Sequence, residues 1–129
     1  MTGTWPITAA TPRPACAIAE ATGVTADGRS SPGCTGIYRD DHVEAWRRVT
    51  RLYRRQSIPT FLQIGHAGPK ASTMRPWDGA GPLVDGSDEP PWQTIAPSAI
   101  PARDGWHTPR ALDADEMPGI AQAFANGAR

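Results

Sequence analysis

A side-chain amide inside an apolar run is the first chemical signal in this sequence. Gln63 interrupts FLQIG, Phe61 to Gly65, and His-Ala-Gly-Pro-Lys follows at once. An amide offers two donors and one acceptor, and burying it unpaired costs about 1–3 kcal/mol. It therefore either pairs with neighbouring backbone or holds a ligand. Near the C-terminal end of a parallel strand the ligand role has a natural geometry. The residue alone leaves both readings open.

Other reactive side chains are spaced less tellingly. His66, just past the run, fits a base, a ligand contact or a hydrogen-bonded structural residue. Gly68-Pro69-Lys70 lacks the first glycine and the Ser/Thr of a phosphate loop; Lys70 could still meet a phosphate or carboxylate, but a solvated lysine is the expectation. Glu20 stands near the end of a short small-apolar run, ACAIAEA from Ala15 to Ala21. Cys16 and Cys34 are the only cysteines, and two reduced thiols are the expectation. His42, His66 and His107 show no zinc-site spacing. Nothing marks a nucleophile elbow. Trp77, Trp92 and Trp106 form either a recognition surface or a cover.

These groups need elements to position them. The spacing of Val43, Trp46, Val49 and Tyr53 predicts a helix from Asp41 to Gln56, with Asp41 and Glu44 at capping-box distance. Acids lead and arginines end it, matching the helix dipole. Its five arginines fall mostly opposite the apolar stripe and alternate with no stacking aromatics, so they read as a solvated face and not a nucleic-acid patch. A strand from Ser57 to Gly65 follows with almost no linker. The order strand, loop, helix, strand points to α/β architecture, and the second strand's unalternating apolar run to a parallel strand covered on both faces. Lys70 to Leu112 reads as a long irregular loop. A weak last helix is expected near Asp113, its first turns weakened by Pro118 and Gly119. Residues 1–14 read as a loose arm and 15–129 as the domain.

Composition adds a constraint. Leu, Ile, Val and Phe total 18 of 129 residues, while Gly and Pro total 27, so the chain is short of core and normally packs against something more. Charges balance at 13 basic and 13 acidic residues, which calls for neither nucleic acid nor an anionic membrane. No run is long enough to span a bilayer. The N-terminus lacks a basic and then apolar leader, so a cytoplasmic setting is the expectation.

Three stretches together resemble the old yellow enzyme family of FMN-dependent NAD(P)H oxidoreductases. They are AIAEATGVTADGRSSPGCTGIYRDDHVEAWRRV (Ala17 to Val49), LQIGHAGPKAS (Leu62 to Ser72), and IAPSAIP with TPRALDADEM. The PGCTGIY and KAST details are most similar to the oxidoreductase half of bifunctional salicylyl-CoA hydroxylase-type proteins. The resemblance implies a partial (β/α)8 TIM barrel: about two strands and two helices plus the long loop, with FMN at the C-terminal mouth. It implies that Gln63 hydrogen-bonds the flavin's pyrimidine edge and that Ala21 presents backbone to the ring. NAD(P)H would be the reductant and an activated alkene the acceptor.

The sequence departs from that pattern in places. Pro69 stands where the family has Arg, and Met1 to Pro14 does not resemble the family's first strand. The family's paired-histidine substrate motif, its flavin-binding arginine and its phosphate loops fall later than Arg129. The expectation is therefore a portion of such an enzyme, inactive alone, whose barrel is completed by further chain or by a partner; homo-oligomers fit as well. The alternative is a non-catalytic interaction module that presents the Val43, Trp46, Val49, Tyr53 stripe.

Overall fold

Residues 16–129 are described by a computed structural model; the expected arm at 1–14 lies outside them. Strand β1 (Ala17–Gly23) leads through a turn-rich loop to helix α1 (Asp40–Arg55), which returns the chain to strand β2 (Thr60–Gly65). β1 and β2 pair in parallel, the expected strand–helix–strand unit of an α/β fold.

The helix-to-strand join is short because it is a complete Schellman motif. Ser57 N–H donates to Arg54 O and Ile58 N–H to Tyr53 O, both at 3.0 Å. Ser57 takes the left-handed position there, with φ of 56°. The N-terminal expectation needs correction. The helix starts at Asp40, so Asp41 lies within the first turn. Its carboxylate pairs with Arg39, and no side chain caps the helix.

Burial alternates along β2, which corrects the expectation of a strand covered on both faces. Leu62 and Ile64 are half-buried, and both α1 and α2 touch this strand. Phe61 and Gln63 are exposed. In β1, Ile18 pairs with Phe61 and is likewise 70% exposed. Two strands cannot curl into a closed barrel, so the inward-facing positions stay open. The register also carries a bulge between Ala19 and Ala21, which leaves Glu20 without a partner and sets Ala21 opposite Gln63.

The long loop is better organised than its sequence suggests. Short 3-10 turns form at Gly68–Lys70 and Pro76–Asp78, and strands β3 (Ile95–Ala96) and β4 (Arg110–Ala111) pair in parallel. Ser72 is its pivot, fully buried with φ of 56°. It accepts Leu83 N–H on its carbonyl at 2.8 Å and Trp92 N–H on its hydroxyl at 3.0 Å. Thr73 N–H reaches back to Ser30 O at 2.9 Å. Val24, Ile58, Ala71, Leu83, Ile95 and Ala96 are the buried apolar residues, a core as small as the composition implies.

Helix α2 spans Met117–Gly127. Pro118 does not weaken it, because proline in the first turn removes an N–H that has no intrahelical partner. Asp113 and Glu116 do interact: Glu116 accepts Asp113 N–H at 2.8 Å while its carboxylate takes both Arg110 amino groups at 2.7 and 2.8 Å. That clamp ties β4 to the start of α2 and holds the Glu116 carboxyl down at about 2.

Candidate functional site: the groove at the strand ends

The C-terminal ends of β1 and β2 open into a shallow groove of about 210 Å³, bordered by Ala21, Gln63, Gly28, Arg29, Ser30 and His66. Its volume falls below the ~300–1,000 Å³ of complete ligand pockets, so the groove forms one wall of a site. Gln63 and Ala21, the two residues singled out from the sequence, are register partners here.

Gln63 departs from expectation in one respect. It is exposed, as is Ala21, because no element covers this face of the two-stranded sheet. Its carboxamide makes no hydrogen bond to the described residues, leaving two donors and an acceptor directed to whatever meets the sheet. The small Ala21 beside it adds no bulk to the groove rim.

His66 is the buried member of the groove, with a side chain only 9% exposed. Its Nδ1 accepts Gly68 N–H at 3.0 Å. Lys70 is exposed at the end of the following turn and does not border the groove. Glu20 instead borders a neighbouring cavity of about 370 Å³ with Thr73, Arg75 and Trp77; Ser30 and Cys34 border both spaces.

The β1–α1 loop supplies the residues that a search for isolated chemical groups misses. Arg29 donates to Glu89 at 3.1 Å and lies 5.1 Å from the Trp92 ring centroid. Trp92 Nε1–H in turn donates to Asp27 O at 3.1 Å, so this tryptophan is a cover, whereas Trp77 is 78% exposed. Arg75 donates to Pro32 O at 3.0 Å and to Asp88 at 2.7 Å, and the Asp88 bond pushes its guanidinium above the usual range. In the β1–α1 loop, Cys34 Sγ lies 3.2 Å from Ser31 Oγ. Cys16 and Cys34 are both free.

A parallel strand–helix–strand unit with a groove at the carboxyl ends of its strands is the repeating unit of α/β folds, the (β/α)8 barrel among them. No protein-family model matches the chain. It is 36% identical over 112 residues to an NADPH dehydrogenase of Geobacillus sp., covering 87% of this chain and 28% of that protein. It is 30% identical over 119 residues to an NADH:flavin oxidoreductase of Gibberella zeae, covering 90% and 29%. Among solved structures, morphinone reductase in complex with tetrahydroNAD superposes with a TM-score of 0.67 at 27% identity, over 86% of this chain and 31% of that one. The old yellow enzyme homologue from Zymomonas mobilis also gives 0.67, at 29% identity, covering 86% and 30%.

Over most of its length, then, the chain is homologous to the old yellow enzyme family, and its fold is a portion of that family's barrel. It spans about 28% of the length of the curated relatives it matches. No helix among the described residues is long and apolar enough to cross a membrane.

Proposed function

We propose that this chain supplies the Gln63–Ala21 wall of the flavin site in an FMN-dependent NAD(P)H oxidoreductase. The carrying observation is the register that sets Gln63 opposite Ala21 at the rim of one groove. Bound there, FMN would supply hydride transfer from a nicotinamide to an activated alkene. The chain's part is to hold it. Gln63 donates to and accepts from the pyrimidine edge, Ala21 admits the ring close to the strand, and the Gly28–Arg29 turn closes one side. Pro69 offers neither the charge nor the N–H that the family's arginine would bring.

The rest of the site comes from further strand–helix units, in the same chain or from a partner. The exposed Ile18 and Phe61 on the open sheet face support this, as does an α1 without a single buried residue. The exposed Val43, Val49 and Leu52 on that helix equally support an interaction module that docks a partner without catalysis. A cytoplasmic setting suits either role.

A chimera separates them. The 129-residue chain is joined to the remaining portion of the Geobacillus NADPH dehydrogenase and compared with the chain alone. The oxidoreductase reading expects a yellow chimera that oxidises NADPH, a chain that binds FMN weakly or not at all, and a Gln63→Ala chimera with about tenfold weaker FMN binding, the loss of one good hydrogen-bonded contact. A folded but colourless chimera, or unchanged FMN affinity in Gln63→Ala, overturns it.

A further inference from the structure

His66 has only one of its two ring nitrogens satisfied. Nδ1 accepts Gly68 N–H at 3.0 Å, and a neutral imidazole that accepts at one nitrogen carries its proton on the other. Nε2 is therefore an N–H donor. It is buried and has no hydrogen-bond partner. Buried donors are nearly always paired in folded proteins. The nearby carboxylate is Asp27, with Oδ1 at 3.9 Å, too long for a hydrogen bond. A metal does not resolve the mismatch, since the tautomer places a proton where a metal needs a lone pair. Groups of three or more His, Cys, Asp or Glu able to hold an ion are also lacking among the described residues.

Asp27 has the freedom His66 lacks. Its side chain is 42% exposed, on the turn that connects β1 to α1. Its backbone is already held, by Trp92 Nε1–H on its carbonyl at 3.1 Å. Next to it, Gly28 accepts Ala67 N–H at 2.8 Å, which joins the turn to the exit of β2. Moving the carboxylate by about 1 Å brings it to hydrogen-bonding distance.

We infer that Asp27 closes onto His66 Nε2–H, forming an imidazole–carboxylate latch that fixes the Asp27–Gly28–Arg29 turn beside the Ala21–Gln63 groove. His66 and Asp27 are then positioning residues. Asp27 does not border the groove and acts through Gly28 and Arg29, which do, while the buried His66 ring at its edge anchors the turn. The inference goes beyond the flavin reading and does not depend on it.

The test uses the ¹⁵N-labelled 129-residue chain without flavin, reading its histidine tautomers by long-range ¹H–¹⁵N correlation and its amides by hydrogen exchange. The latch expects His66 as the Nε2–H tautomer with a slowly exchanging ring proton. In Asp27→Ala the ring samples both tautomers and Gly68 N–H exchanges about tenfold faster as local opening becomes easier. Asp27→Asn keeps the Oδ1 acceptor and restores both readouts, a rescue that general loosening of the turn would not produce. The Nδ1–H tautomer, wild-type behaviour of Asp27→Ala, or failure of Asn to improve on Ala overturns the latch. Should Asp27→Ala unfold the chain, the wild-type tautomer and ring-proton exchange still decide. FMN binding in the chimera is scored separately, so either idea can fail alone.

Discussion

Gly28 lies directly against the ring of His66. A β-carbon at residue 28 would stand 2.6 Å from His66 Cδ2 and 2.7 Å from Thr25 Oγ1, inside any tolerable contact. Gly28→Ala must therefore displace the ring or the turn. Overpacking of this kind costs about 1–3 kcal/mol, and a urea titration of the two chains should show the loss as a lower midpoint with similar slope. An unshifted midpoint would mean that the turn and β2's exit are not packed together in solution.

Leu83 tests the core inside the long loop. It is 2% exposed, so Leu83→Ala removes buried methyl groups and opens a cavity, at about 2–5 kcal/mol. Marginal stability is the norm for small domains, so that loss should leave the chain largely unfolded at room temperature by circular dichroism.

Ser57 offers the opposite sign. It occupies the left-handed residue of the Schellman motif after α1, where a β-carbon is a liability and glycine is preferred. Ser57→Gly should gain about 0.5–1 kcal/mol, measurable as a higher melting temperature. A lower one would mean that the serine side chain makes a contact worth more than the backbone strain.

The Arg110–Glu116 clamp sets a pH dependence. The Glu116 carboxyl is held at about 2, first by the Arg110 hydrogen bonds and then by Asp113 N–H, against an ordinary 4.5. A carboxyl depressed on folding contributes stability that is fully present above the unfolded value. That contribution is lost as pH falls from about 4.5 towards about 2. Wild type should therefore melt higher than Glu116→Gln at pH 6, with the gap narrowing steadily as pH falls below about 4.5. A gap that does not narrow by pH 2.5 would place the effect elsewhere.

The open sheet face gives a paired prediction. Phe61 is 57% exposed, so Phe61→Lys should alter the stability of the isolated chain by no more than about 0.5 kcal/mol and reduce its self-association in light scattering. The same substitution in the chimera would bury an unpaired charge and should abolish assembly of the yellow protein. A yellow Phe61→Lys chimera would show that this face is not the barrel interior.

What the sequence disclosed divides along physical lines. β1, α1 and β2 were legible because apolar periodicity and charge order are local properties, and their ends lie within three residues of expectation. Gln63 and Ala21 were singled out through the resemblance, and nothing in their spacing announced that they are register partners. Gln63's exposure was not legible, because burial depends on neighbours that two strands cannot provide. β3 and β4 have no periodicity to detect, being two residues each and joined where Arg110 N–H meets Thr94 O and Leu112 N–H meets Ala96 O, both at 2.9 Å. Helix α2 was undervalued because Pro118 was weighed as an interior residue, whereas its place in the first turn makes it harmless.

The unpaired residue at position 20 makes the groove sensitive to a one-residue slip within β1. Were the bulge lost at the present length, with Ala19 still opposite Leu62, Glu20 would sit where Ala21 now faces Gln63, trading a methyl group for a carboxylate. Deleting Glu20 would instead let the pairing run straight through with Ala21 in place.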